Sequence, residues 1–259
     1  MEIRMDASSP PLSGVTVIDC GQVISGPMIA MILGDFGANV IKIENPDGGD
    51  QIRYFGRSKN GANLWWKMLS RNKKPITLSL SKPAGQELFC RLIEKMQADI
   101  LIESFRPGTF ERWNLGYERL RKLCPKLTML RVSGYGQTGP YKDRPGFGTL
   151  AEGMSGFAQM VGEADGPPSL PPFPVGDGTG ALYGTIGALL CLYMHASSKS
   201  GGQCVDVSLL ESLHTLLSNH AMLYDQFGIP GKRNGNRTFG SAPRNTYRTK
   251  DDKWVVISA

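Results

Sequence analysis

The chain carries none of the short motifs that announce a standard catalytic chemistry. Its 259 residues hold no phosphate-binding P-loop, no GxSxG elbow and no HExxH pair. P-loop phosphoryl transfer, elbow-type serine hydrolysis and zincin proteolysis are therefore excluded. The histidines, His195, His214 and His220, lack the spacing of metal ligands, so no metal site is expected. The five cysteines, Cys20, Cys90, Cys124, Cys191 and Cys204, form no CxxC pair and no regular framework. An odd, widely spaced set suits reduced thiols and predicts a cytoplasmic protein. The segment Met1 to Pro11 has no signal-peptide apolar stretch, and the run Ala181 to Ala196 is shorter than the roughly 20 residues of a spanning helix. It reads as a buried helix, and no membrane association is expected.

What is present is glycine, 32 residues of it, and a net charge of +6 spread along the chain. A diffuse basic surface attracts phosphates and other anions. No nucleic-acid-binding motif accompanies it, so nucleic acid is not an expected partner.

The first half alternates between two periods. Val15–Asp19 is a β-branched run, and Gly26-Pro27 opens an apolar segment of helical length, Met28 to Phe36, followed by the strand Asn39–Glu44. The pattern repeats as strand Pro75–Leu80, helix Ser81–Met96, strand Asp99–Glu103, helix Tyr117–Leu123 and strand Leu127–Ser133. Such alternation predicts an α/β fold: a doubly wound, mostly parallel, Rossmann-like sheet with helices on both faces. Ligands of such sheets bind beyond the carboxyl ends of the strands. Glycine-dotted and proline-rich stretches (Gly146–Gly162, Gly166–Val175) precede Gly176-Asp177-Gly178-Thr179-Gly180 and the apolar helix. A turn at Lys199–Gln203 leads to a strand at Val205 that enters a further helix. From Asn234 a glycine-rich loop runs to the strand Lys253–Ser258, whose apolar residues Val255, Val256 and Ile257 would form an open edge. The expected division is a large α/β domain over 1–225 and the start of a smaller domain over 226–259. Because Ala259 falls inside an apolar run, the sequence reads as a fragment or a split-gene product.

Asp177 is the chemically suggestive carboxylate. Three glycines around it allow close approach, and the helix that follows favours an anion at its N-terminus. An ordinary helix cap in a glycine turn has the same local sequence. Cys20, after a strand, is a nucleophile in principle, yet no histidine pairs with it and a small buried thiol fits equally well.

A longer series of matches narrows the choice. Leu12–Asp19, Val23-Ile24-Ser25-Gly26-Pro27, Leu33-Gly34-Asp35-Phe36-Gly37-Ala38 and Val40-Ile41-Lys42-Ile43-Glu44 resemble the opening of the class III CoA-transferases, the CaiB/BaiF family. The likeness continues through Glu103-Ser104-Phe105-Arg106-Pro107-Gly108, Ser133-Gly134-Tyr135-Gly136, Arg144-Pro145-Gly146-Phe147, Gly153-Met154-Ser155-Gly156 and Val205–Leu209. It keeps its order across nearly the whole chain.

The resemblance implies transfer of coenzyme A from an acyl-CoA donor to a carboxylic acid. Asp177 would be the nucleophile, forming first an acyl anhydride and then an aspartyl-CoA thioester. With an ordinary pKa near 4, that carboxylate is ionised at neutral pH. The adjacent glycine N–H groups are expected to stabilise the oxyanions. The resemblance also implies CoA contacts at Val23, Ile24, Ser25, Ser104, Phe105 and Arg112, with CoA as substrate and no separate cofactor or metal. Family members carry a CoA-contacting arginine where this chain has Asn45, which leaves Lys42, Arg53 or Arg57 to take over that phosphate. An interlocked homodimer is the implied assembly of the full-length protein. A 2-methylacyl-CoA racemase of the same family would need a His-Asp pair where this chain has Phe147-Gly148. A non-catalytic CoA-binding subunit of a two-chain assembly is the remaining alternative.

Overall fold

Neighbouring residues of the strands point into two separate cores, the signature of a parallel sheet covered on both sides. A computed structural model describes residues 9–197, 200–217 and 219–259. The strands of its main sheet are β1 (Thr16–Cys20), β2 (Asn39–Glu44), β3 (Lys73–Thr77), β4 (Ile100–Glu103), β5 (Thr128–Ser133) and β6 (Cys204–Ser208). They run parallel in the order β3-β2-β1-β4-β5-β6. Ile18, Ile41, Leu101 and Met129 face one side, where Phe89 and Ile93 of helix α2 (Pro83–Met96) and Leu120 of α4 (Tyr117–Leu123) complete the core. A one-turn helix, α3 (Thr109–Arg112), adds Phe110 to that core. Val17, Val40, Ile100, Ile102, Leu130 and Val132 face the other side, against Ile29 and Leu33 of α1 (Ser25–Asp35). Ala181 and Ala188 of a long helix join the same core.

The strand order places a switch point between β1 and β4. From β1 the chain winds outward through β2 to β3, then crosses back to β4 and winds the other way. The loops leaving β1 and β4 therefore diverge and open a crevice.

Two further helices matter for the site: α5 (Gly148–Met154) and α6 (Val175–Ala196). The sequence placed a helix only over Ala181–Ala196; the structure begins it six residues earlier, so the glycine string is helical. By length and composition alone α6 can cross a membrane, but it packs on the sheet and on α1. It is not a wholly buried helix. Its small residues Gly180, Ala181, Gly184, Ala188 and Cys191 face inward, while Leu182, Ile186, Leu189 and Leu190 are exposed. After β6 come α7 (Leu209–His214) and α8 (His220–Phe227).

Near the C-terminus β7 (Arg244–Arg248) pairs antiparallel with β8 (Trp254–Ser258). The sequence reading had β8 alone, because β7 reads RNTYR and carries no apolar alternation. Val255, Val256 and Ile257 are exposed on this hairpin. Residues 1–8 and the Lys199 end of the expected turn lie outside the described residues.

Candidate active site

The crevice at the switch point is a cleft of about 590 Å³. Its walls are the loop after β1 (Gln22, Val23, Ile24, Ser25), the loop after β4 (Ser104, Phe105, Arg106, Pro107) and the end of β5 (Ser133, Gly134). Asn45, Arg144, Phe147 and Asp177 complete it. Five of the sequence-derived binding residues thus share one cleft with Asp177. Arg112 does not line it: that side chain is exposed on α3, where Nη2 donates to Thr109 Oγ1 at 2.8 Å. Arg106, not singled out from the sequence, lines the cleft instead.

A buried set of charges shapes the first wall. Lys42 Nζ lies 3.0 Å from Asp50 Oδ2 and 3.7 Å from Asp19 Oδ1, and donates to the Gly21 carbonyl. Lys73 Nζ reaches Asp19 Oδ2 at 2.8 Å and the Pro27 carbonyl at 2.7 Å. Burial works against the Asp19 carboxylate, but Lys42 and Lys73 outweigh it and hold its pKa below the usual value. Asp50 Oδ1 accepts the Val23 N–H at 3.0 Å. That bond matters because Val23 has φ +64°, a left-handed backbone that β-branched residues rarely adopt. The loop is also tied to the second wall: Gln22 N–H donates to Ser104 Oγ at 2.7 Å. The Ser104 hydroxyl is therefore engaged in joining the two walls. Phe105 packs edge-on to Trp113, with ring centroids 5.0 Å apart.

These contacts correct the phosphate assignment. Lys42 is fully buried between Asp19 and Asp50, and Arg53 is held by Glu44 at 2.7 Å, so neither is available to replace an arginine at Asn45. Arg57 does not line the cleft. Cys20 does, but burial, with the nearby Asp19 carboxylate, pushes its thiol pKa well up and keeps it protonated.

Asp177 stands in the first turn of α6, after the N-cap residue Pro174, so it is not itself the cap. Two glycines make room for it. A Cβ on Gly148 would fall 2.3 Å from Asp177 Oδ2, and one on Gly176 would fall 2.6 Å from the Gly148 carbonyl oxygen. The start of α6 therefore lies directly on the start of α5. One turn along that face of α5, buried Glu152 accepts the Gly176 N–H at 3.0 Å. Burial, then the Glu152 charge, raises the Asp177 pKa to about 6. An ordinary value near 4 is thus overturned. The adjacent glycine donors are not free either: Gly176 N–H serves Glu152, and Gly178 N–H donates to the Pro174 carbonyl at 2.9 Å.

Glu152 was missed from the sequence. The available signal was a carboxylate four residues after Gly148, on the same face of a helix otherwise made of small and apolar residues. A half-buried carboxylate with a raised pKa, in a cleft of this size, is suited to nucleophilic or acid–base chemistry on an acyl group. Among the described residues no cluster of histidine, cysteine and carboxylate side chains could hold a metal ion.

The profile of CoA-transferase family III matches residues 12–259. A succinyl-CoA–D-citramalate CoA-transferase of Chloroflexus aurantiacus is 43% identical over 96% of this chain and 61% of its own length. A succinate–glutarate CoA-transferase of Agrobacterium fabrum is 37% identical over 95% of this chain and 63% of its own. The chain thus spans about three-fifths of these relatives. Among solved structures, a CaiB/BaiF family protein from Brucella suis superposes with a TM-score of 0.88 at 32% identity, over 96% of this chain and 66% of that one.

Proposed function

The chain belongs to CoA-transferase family III, and we propose that it moves coenzyme A from an acyl-CoA to a carboxylic acid through covalent intermediates on Asp177. The observation that carries this reading is the placement of the Asp177 carboxylate in the switch-point cleft, where it accepts no hydrogen bond among the described residues. An oxygen of that carboxylate attacks the thioester carbonyl and expels CoA as thiolate, leaving an acyl–aspartyl anhydride. The thiolate returns to the aspartyl carbonyl, giving an aspartyl-CoA thioester and the free acid. The acceptor acid attacks that thioester, and the same steps run in reverse. Thioester energy is kept in covalent bonds throughout.

CoA lies along Val23, Ile24 and Ser25 and past Ser104 and Phe105. Its nucleotide end reaches beyond the cleft to Arg112, whose planar guanidinium suits a phosphate. Arg106 and Arg144 in the cleft suit acids with a second carboxylate. Succinate, named in the Agrobacterium relative and present as succinyl-CoA in the name of the Chloroflexus one, is such an acid. The racemase reading is weaker, because Phe147 and Gly148 bring no ionisable group to the place where Gly148 meets Asp177. Full-length homodimers, interlocked and cytoplasmic, complete the proposal. The exposed apolar stripe Leu182, Ile186, Leu189 and Leu190 is a surface that pairing would cover.

The test is mass spectrometry of the protein after incubation with a panel of acyl-CoAs and hydroxylamine. A hydroxamate at Asp177 is the expected product. An adduct at another residue would refute the mechanism.

A further inference from the structure

Ser25 and Ser133 line the cleft, and the Oγ of each is shielded from solvent and has no hydrogen-bond partner. Buried hydroxyls are normally paired, and one left unpaired destabilises the fold. Ser25 is the more telling of the two. It is 4% exposed and begins α1 at the switch point. A Cβ placed on Gly180 would stand 3.2 Å from its Oγ. Gly180 follows Asp177 by three residues on α6, so both lie on one face of that helix. The Ser25 hydroxyl therefore sits beside the face that presents the carboxylate.

Acyl transfer needs a hydrogen-bond donor at this place. When a carboxylate adds to a thioester, the carbonyl oxygen becomes an oxyanion, and donors held ready for it lower the barrier. The glycine N–H groups flanking Asp177 are already spent on Glu152 and Pro174. We infer that the Ser25 hydroxyl is an oxyanion donor in the acyl-transfer steps, an inference that rests on Asp177 being the nucleophile. An Asp177 oxygen forms a C–O bond to the thioester carbon, and the carbonyl π pair moves onto oxygen. Ser25 donates a hydrogen bond to that oxygen and keeps its proton. Collapse restores the carbonyl, breaks the C–S bond and releases CoA thiolate.

Ser25→Ala in the whole protein tests this directly, because it removes the hydroxyl and little else. The expected result is a kcat about 10²-fold lower, the usual effect of losing one oxyanion donor. KM for acyl-CoA should stay within about threefold, and the melting temperature should hold or rise, since the orphaned Ser25 hydroxyl is no longer buried. Unchanged kcat overturns the inference. A loss confined to KM does so too, since it marks a hydroxyl that only binds CoA. So does a kcat loss seen in Ser133→Ala and not in Ser25→Ala. Hydroxylamine trapping of the unsubstituted protein separates the two levels. No hydroxamate at Asp177 sinks the nucleophile, whereas a hydroxamate combined with undiminished turnover of Ser25→Ala sinks the oxyanion role alone.

Discussion

Two groups of buried polar side chains lie close together in this fold, and they are treated in opposite ways. Under the loop after β1, Asp19, Lys42, Asp50 and Lys73 neutralise one another with contacts of 2.8 to 3.7 Å. On the cleft side of that loop, Ser25 and Ser133 have no partner, and Asp177 has only a like charge, Glu152, nearby. Paired buried charges fix a backbone in place. Unpaired ones cost stability, and they stay available to whatever enters the cleft. The first group holds Val23 in a conformation it would otherwise leave, while the second keeps unmet hydrogen-bonding capacity beside the cleft.

Substitutions at the two groups should therefore separate activity from stability. The largest effect is expected at Asp177→Asn, which keeps the shape of the side chain but cannot form an anhydride. Turnover should fall by at least about 10⁴-fold with CoA affinity retained, read from steady-state kinetics and calorimetry. Substantial residual turnover would show that the nucleophile lies elsewhere.

Lys42→Met should do the reverse. Breaking the buried pair strands Asp50 and leaves Asp19 only Lys73, at a cost of about 3–5 kcal/mol, measured by denaturant unfolding. A variant as stable as the parent would mean that the charge cluster is not what holds the loop.

The pH dependence sharpens the comparison further. The Asp177 pKa is raised from 3.8 to about 6. A carboxyl raised on folding contributes stability that is fully present below 3.8 and lost as the pH climbs through about 6. Asp177→Asn should therefore match the parent near pH 4 and exceed it at pH 7 by roughly 2 kcal/mol, allowing for partial exposure. Parental turnover should rise with pH around a midpoint of about 6 as Asp177 ionises. Melting curves and rate profiles across pH 4 to 8 check both.

A comparably modest effect is expected outside the cleft. Arg112→Ala should weaken CoA binding by about 1.5–3 kcal/mol, the range for a hydrogen bond to a charged group, without changing stability. Unchanged affinity in calorimetry would remove Arg112 from the nucleotide end.

Much of this arrangement was legible in the sequence where the signal is local. The β-branched runs located β1, β2, β4 and β5 to within about a residue, because a strand buried on both faces must be apolar throughout. β3 fell two residues earlier than expected, at Lys73–Thr77, a placement that brings Lys73 to Asp19. The sequence reading placed the glycine string around Asp177 just ahead of the apolar helix, and glycine does disfavour helices. Packing overrides that preference: helix α6 can lie against Leu209, Ile29 and Val205 only where Gly180, Gly184 and Gly187 leave room. Glu152, the raised pKa of Asp177 and the engaged glycine donors all depend on elements that meet only in the folded chain.

The glycine face of α6 also seats the helix closely on its neighbours, like a shaft with Asp177 at one end. Gly184 lies about 10 Å along the axis from that carboxylate, at 1.5 Å per residue, and a Cβ there would fall 2.5 Å from Ile29 Cδ1. Anything that lifts the shaft off its seat at that point tilts the end and shifts the carboxylate within the cleft. The alignment tolerance of the site is thus set partly by the fit of small residues two turns away, which touch no ligand. A helix seated on glycines gives precision at its tip only while the seat stays bare.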